Sequence, residues 1–170
     1  HTADMCEICD GSSYEDMFER CDHRIATHGW FVLGVSGEAP WVYTVGLQES
    51  FSHPELVLVD VEPELGTQML NRLGDAIVAG EVFRAGETCD LGELRLAFRV
   101  VTPERLQDGL CAMWTHFYRW RRDPPGLIAA IEVVSREPDV PWRTRRTTRA
   151  TTRHHGPNRA ERRRAARRRR

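Results

Sequence analysis

The sequence contains no lysine, since all 24 of its basic residues are arginine, which suggests a GC-rich coding genome more than a selected function. No window approaches the roughly 18 apolar residues that span a bilayer, and the first thirty residues lack the basic start and apolar run of a secretory signal. Phosphate-binding loops and GxGxxG, HExxH and GxSxG motifs are absent too, so nucleotide hydrolysis, zincin proteolysis and serine-hydrolase chemistry have no local support. We therefore expect a soluble, cytoplasmic protein.

Charge is divided very unevenly along the chain. The formal net charge is −1, but residues 143–170 hold 13 arginines and a single acid, Glu161, whereas residues 1–142 hold 11 arginines and 24 acids. The length of 170 residues and the 41% hydrophobic content fit one globular domain with appendages. Five cysteines, an odd number, argue against a disulfide framework.

The order of apolar patterns predicts an α+β fold with three helices and about six strands in a mixed or mostly antiparallel sheet. Ser12 and Glu15 have the spacing of a capping box at the first helix, and Pro63 suits the first turn of the second. We expect a flexible segment 1–11, a domain over 12–142 and a disordered basic tail over 143–170. The predicted helices span 12–28, 63–79 and 103–122, and the predicted strands span 30–35, 41–47, 56–61, 81–85, 93–101 and 127–134.

A polar constellation follows the second predicted strand. If the neighbouring strands pair, the predicted loop 48–52 brings His53 back to a strand end, where it could act as general acid or base with Glu55 fixing its tautomer. The competing interpretation is that His53-Pro54 is a turn and Tyr43 is a core residue with its hydroxyl at the boundary. The candidate catalytic residues are His53, Tyr43 and Glu55, and the candidate ligand-binding residues are Thr44, Gly46 and Trp41.

Four segments resemble a bacterial family known as domain of unknown function 4262. They are Met5-Cys6-x-x-Cys9, Gly29-Trp30, Trp41-Val42-Tyr43-Thr44-Val45-Gly46-Leu47 and His53-Pro54-Glu55-Leu56-Val57-Leu58. The resemblance covers residues 5–134 and implies a location for the site, although it implies no activity.

The Cys6-x-x-Cys9 spacing suits two metal ligands or a redox dithiol. With Cys21 and His23 it offers four donors for a tetrahedral Zn²⁺, but these last two lie about 200° apart around the first helix. A thioredoxin-like dithiol has less support, because nothing resembling a strand precedes Cys6. A metal site at these four residues is therefore one hypothesis.

The basic tail is too polar to bury a core. A dense arginine block would neutralise phosphates of RNA or DNA with strong salt dependence and without sequence preference. Alternatively, the tail folds back over the acidic body or is incidental to a GC-rich reading frame. The candidate nucleic-acid-binding residues are Arg162, Arg163, Arg164, Arg167, Arg168, Arg169 and Arg170.

Three functional hypotheses follow from the sequence. The first is a small-molecule-binding domain with its site at the YTVGL and HPE motifs, whose enzyme status stays open. The second is a non-enzymatic interaction module with a nucleic-acid-binding tail or an acidic partner. The third is a CxxC metal-binding protein.

Overall fold

Six strands form one mixed sheet in the computed structural model, which describes residues 13–122 and 126–136. The α+β class is confirmed, with five helices in the described part of the chain where three were expected. The helices are α1 Tyr14–His28, α2 Leu47–Phe51, α3 Pro63–Val78, α4 Pro103–Gln107 and α5 Ala112–Arg121. The strands are β1 Phe31–Val35, β2 Trp41–Val45, β3 Glu55–Val59, β4 Thr88–Leu91, β5 Leu94–Val100 and β6 Ala130–Arg136.

The strand order across the sheet is β1-β2-β3-β6-β5-β4. Neighbouring strands are antiparallel except β3 and β6, which run parallel with Glu55 opposite Ala130. The apolar run of β3 therefore occupies a central position, as its composition predicts. Strand β6 joins the two antiparallel halves of the sheet.

Helices cover the two faces of the sheet differently. Side chains alternate along each strand, so Val42 and Leu56 pack with α3 in one core layer. Tyr43 and Val57 pack with α1 and α5 in the other. We call these the α3 layer and the α1/α5 layer.

Two element ends differ from the sequence prediction. The capping box of α1 is formed by Ser13 and Asp16 rather than by Ser12 and Glu15. The second strand ends at Val45 instead of continuing to 47, because Gly46 turns the chain with φ of 109° and α2 begins at once. The predicted loop 48–52 is therefore mostly helix.

The region between α3 and β5 was predicted wrongly. Residues 81–85 form no strand, and the strand lies instead at Thr88–Leu91. Phe83 of this loop is buried and stacks on Phe98, with ring centroids 4.8 Å apart. The backbone then turns at Gly86, which has φ of 88° and donates its N–H to the carbonyl of Phe98.

The last helix and last strand also differ from the prediction. The helix expected over 103–122 is divided into α4 and α5, because Gly109 adopts the left-handed φ of 95° between them. Strand β6 begins at Ala130 rather than at 127. Leu127 lies outside the strand and is 94% exposed.

None of the described helices has the length and apolarity needed to cross a membrane. The predicted flexible segment 1–11 and basic tail 143–170 lie outside the described residues, as does the predicted domain boundary at 142.

Candidate functional site

Glu55 is the centre of a buried hydrogen-bond network at the end of β3. Its side chain is completely buried, and both carboxylate oxygens accept hydrogen bonds. The donors are Thr44 Oγ1 at 2.7 Å, the backbone N–H groups of Gly46 at 2.9 Å, Leu47 at 3.3 Å and Gln48 at 3.2 Å, and Trp114 Nε1 at 3.4 Å.

The local sequence explains why this network forms. A Cβ on Gly46 would lie 2.8 Å from the carbonyl oxygen of Gly29, so the turn into α2 requires glycine by both its φ and its space. The N–H groups that follow this turn have no partners within α2, and Glu55 accepts them. Thr44 Oγ1 also accepts the Leu56 N–H at 2.8 Å, which ties β2 to β3 through a side chain.

Burial has a marked effect on the acidity of Glu55. Loss of solvation raises the pKa of its carboxyl to about 7, although the hydrogen bonds from Thr44, Gln48, Gly46 and Trp114 lower it. The carboxyl of Glu55 is therefore a weaker acid than that of an exposed glutamate. Chemically, it could hold α2 in place or exchange a proton.

A second buried carboxylate lies on α2 itself. Glu49 accepts hydrogen bonds from Arg121 at 2.7 and 3.2 Å and from the Tyr118 hydroxyl at 3.2 Å. Arg121 Nε also contacts Asp22 of α1 at 3.1 Å. Burial and the nearby carboxylates raise the pKa of the Tyr118 hydroxyl. The guanidinium of Arg121 thus links α1, α2 and α5.

His53 is buried with both ring nitrogens in hydrogen bonds. Nε2 accepts the Phe83 N–H at 3.0 Å, so the proton is assigned to Nδ1, which donates to the Pro54 carbonyl at 2.7 Å. Burial lowers the pKa of His53, which favours this neutral form. The ring also makes an edge contact with Phe83, centroids 5.9 Å apart.

The expected cavity shared by Tyr43 and His53 is not formed. Tyr43 packs in the α1/α5 layer, where burial raises the pKa of its hydroxyl, whereas His53 packs against Phe83 of the α3 layer. Glu55 does not fix the tautomer of His53, because the hydrogen-bond partners of the two ring nitrogens are the Pro54 carbonyl and the Phe83 N–H. The structure brings together Thr44, Gly46 and Glu55 but separates the phenol from the imidazole.

The other predicted site residues lie apart from this network. Trp41 is partly buried, with its Nε1 buried and without a hydrogen-bond partner. Cys21 is completely buried and His23 is exposed on the same helix. Cys6 and Cys9 lie outside the described residues, within which no group of three or more His, Cys, Asp or Glu side chains could hold a metal ion. Zinc binding at these four residues stays a prediction.

Sequence reasoning missed the contribution of α5 to the polar network. Trp114, Tyr118 and Arg121 are spaced by four and three residues, which places them on one helix face. Glu49 was likewise not predicted to have a role. The signal available was Arg121, an arginine on the same helix face as the aromatic residues Trp114 and Tyr118.

Fold and site together define an α+β domain in which a buried glutamate joins the end of a strand to the start of a short helix. The family model described as Domain of unknown function (DUF4262) matches residues 24–146, and the chain belongs to this family. The matched range contains the YTVGL and HPE motifs, whereas Cys6 and Cys9 precede it. Comparison with curated proteins found no match, and comparison with solved structures found none either.

Proposed function

We propose that this protein is a non-enzymatic binding module whose partner is a nucleic acid. The observation that carries the proposal is that the polar groups of the two motifs are engaged inside the fold. His53, Glu55 and Thr44 each have protein partners for their polar side-chain atoms. A general acid or base needs a reacting group within hydrogen-bond reach, and these side chains already bind one another or the backbone.

The division of charge along the sequence indicates the class of partner. Residues 143–170 hold 13 of the 24 arginines and one acid. Such a segment attracts phosphates through counterion release, without sequence preference. In residues 1–142, acids outnumber arginines by 24 to 11, so the excess of positive charge that would attract phosphates lies in the tail. The folded domain is then the carrier of a basic binding segment.

The proposal predicts a salt-dependent affinity for single-stranded nucleic acid. The full chain is titrated into fluorescein-labelled oligothymidylate of 20 nucleotides, and binding is followed by fluorescence anisotropy at several NaCl concentrations. A variant with Arg162, Arg163, Arg164, Arg167, Arg168, Arg169 and Arg170 changed to Gln should lose most of the affinity. If all seven contact phosphates, the slope of log K against log salt should decrease in magnitude by up to about 5.

The matched control changes the same seven arginines to lysine. Because phosphate neutralisation depends on charge, this variant should keep most of the affinity and slope. Equal affinity of the wild-type and glutamine variants, or no binding by the wild-type chain at 50 mM salt, would overturn the proposal.

A second candidate function is favoured by the protonation state of Glu55. Desolvation raises the pKa of this carboxyl to about 7, which is typical of groups that exchange a proton with a ligand, and a small molecule that reached Glu55 would have to replace one of its present donors, such as Trp114. If such a ligand copurifies, native mass spectrometry of the purified chain should find a non-covalent mass that Glu55→Gln loses. If native mass spectrometry of the wild type finds the mass of the chain without any bound molecule, this candidate function is wrong.

A further inference from the structure

Three residues on neighbouring strands form a short row in the half of the sheet made by β6, β5 and β4. Val134 of β6 lies opposite Ala97 of β5, and Ala97 lies opposite Thr88 of β4. Side chains alternate along a strand, and both neighbours of Ala97 on β5, Leu96 and Phe98, belong to the α3 layer. The row therefore lies on the opposite side of the sheet. We call Val134, Ala97 and Thr88 the Ala97 row.

The Ala97 row is mostly buried, although it lies outside both apolar layers. Ala97 is 8% exposed, Thr88 is 5% exposed and Val134 is partly buried. Among the described residues, neither Ala97 nor Val134 is a member of the α3 layer or of the α1/α5 layer. Burial outside both layers indicates that a further segment of the chain covers this row.

Thr88 places an unsatisfied polar atom on the same row. Its Oγ1 is buried and has no hydrogen-bond partner. Most buried hydroxyl groups in folded proteins have one. The cover of the row should therefore be apolar where it lies on Ala97 and Val134, and it should present a hydrogen-bond acceptor to Thr88.

The chain leaves the described structure beside this row. Strand β6 ends at Arg136, two residues after Val134, and the next six residues are Glu137-Pro138-Asp139-Val140-Pro141-Trp142. Two strand spacings and two residues along the strand separate Arg136 from Thr88, a distance of about 12 Å. Four fully extended residues span about 13 Å, so the chain can reach the far end of the row by Val140.

Segment 137–142 has the composition that this cover requires. Val140 and Trp142 are the only large apolar side chains of residues 137–170. Two of the six residues of the segment are proline, so it has six backbone carbonyl acceptors and four backbone N–H donors. It can therefore cover apolar side chains and offer an acceptor to Thr88 while burying few N–H groups of its own.

The family match includes the same segment. The family model covers residues 24–146 and so continues for ten residues beyond Arg136. Residues 137–146 are therefore part of the domain that the family shares, whereas residues 147–170 lie outside the match. This range favours a structural role in the domain for segment 137–142 rather than for the arginine-dense end of the chain.

We infer that the Ala97 row is the docking surface for segment 137–142 of the same chain. The side chains of Val140 and Trp142 pack on the row, and a backbone carbonyl of the segment accepts a hydrogen bond from Thr88 Oγ1. The inference goes beyond nucleic-acid binding and does not depend on it. Its consequence is that the basic tail starts, at residue 143, beside β4 and β5.

The direct test is nuclear Overhauser spectroscopy of the full chain with isotope-labelled methyl groups. The ring protons of Trp142, assigned with the variant Trp142→Phe, should show cross-peaks to the methyl groups of Val134 and Ala97. Assigned ring and methyl resonances without any such cross-peak would overturn the inference. A mixture of labelled and unlabelled chains distinguishes a second copy: if the cross-peaks join two chains, the row binds a partner chain and the inference is wrong.

Urea denaturation of full-length variants gives an independent measurement. Trp142→Ala should raise the equilibrium constant of unfolding about tenfold or more, because a large apolar side chain no longer becomes buried on folding. Thr148→Ala, in the part of the tail outside the family match, is the control and should leave the constant within about twofold of wild type. If Trp142→Ala has as small an effect as this control, Trp142 does not pack on the domain and the inference is wrong.

A double-mutant cycle identifies the surface that Trp142 covers. Val134→Ala and Trp142→Ala together should raise the unfolding constant several-fold less than the product of their single effects, because both remove the same contact. Leu65→Ala, at an exposed position of α3, should combine with Trp142→Ala as a simple product. Simple products in both pairs would place Trp142 away from the Ala97 row and overturn the inference.

Discussion

Gly74 lies directly against the indole ring of Trp30, so that a Cβ built on Gly74 would be 2.5 Å from Trp30 Cε2. Trp30 Nε1 donates to Asn71 Oδ1 on the same helix at 3.4 Å. A similarly close approach occurs near the start of α3, where a Cβ on Gly66 would lie 2.4 Å from Val42 Cγ2. Two glycines thus set the distance between α3 and the sheet.

Gly74→Ala should destabilise the protein. The added methyl gains up to about 1 kcal/mol of helix propensity, but overpacking against a rigid indole ring costs about 1–3 kcal/mol. We expect a lower urea midpoint with an unchanged denaturant slope. Gln68→Ala, at an exposed position of the same helix, is the control and should shift the midpoint little. A midpoint for Gly74→Ala above that of the wild type would contradict the packing argument.

Glu55→Gln should destabilise the protein by about 2–4 kcal/mol at pH 7. The amide NH₂ of glutamine cannot accept a hydrogen bond, so at least one donor among Thr44, Gly46 and Gln48 would lose its buried partner. Urea denaturation of the variant measures this cost. Glu64→Gln, at an exposed position of α3, should leave the free energy of unfolding within about 0.5 kcal/mol of wild type.

The titration of Glu55 should make the wild type less stable as pH rises from about 4.5 to about 7. The folded pKa of about 7 exceeds the ordinary value of 4.5, so within this window the folded chain holds more protons than the unfolded chain. The total loss is at most about 3 kcal/mol, at 1.36 kcal/mol for each pKa unit. Denaturation curves across this range should show a smaller loss for Glu55→Gln than for the wild type. If the stability of the two proteins depends on pH in the same way, the loss of stability does not come from Glu55.

The titration of His53 should change stability with pH in the opposite direction to that of Glu55. Burial lowers its pKa from 6.5, so as pH falls below that value the unfolded chain takes up a proton before the folded chain does. Acid therefore destabilises the folded state through His53. The variant His53→Gln should lose stability at every pH, because its contacts with Phe83 change, but should decline less than wild type between pH 6.5 and 5. A decline as steep as in wild type would show that another group is responsible.

Arg121→Met should lower the free energy of unfolding by about 3–5 kcal/mol, because the carboxylate of Glu49 stays buried after the guanidinium that binds it is removed. Arg121 is 15% exposed and Glu49 is 3% exposed, so water cannot easily replace the guanidinium. The exposed Arg119→Met, two residues earlier on α5, is the matched control and should stay within about 0.5 kcal/mol of wild type. Thermal and urea denaturation check both values. In the double variant Glu49→Gln/Arg121→Met much of the loss should be recovered, since no buried charge remains.

Local patterns predicted the elements that depend mainly on local sequence. Helix α3 was expected over 63–79 and occupies Pro63–Val78, because a proline in the first turn and a regular apolar stripe act within the helix itself. Thr44, Gly46 and Glu55 were expected in one constellation with Tyr43 and His53; in the structure the first three meet, whereas Tyr43 and His53 pack in different layers. The meeting of the first three followed from strand pairing, which the apolar runs predicted.

Features that depend on distant contacts were not predictable in this way. Helix α2 has five residues, and its first N–H groups are accepted by Glu55, so it depends on a residue beyond its own end. The position of His53 in the α3 layer is set by the Phe83 N–H, 30 residues away in sequence. Neither contact leaves a periodic signal.

The parallel pairing of β3 with β6 also has a kinetic consequence. Among the described strands, β6 is the last in the chain, and the two antiparallel halves of the sheet meet through its pairing with β3, with Glu55 opposite Ala130. Closing so long a loop is entropically slow. During synthesis, the edges of β3 and β5 that pair with β6 should stay unpaired until residue 136 has left the exit tunnel, and unpaired strand edges favour aggregation.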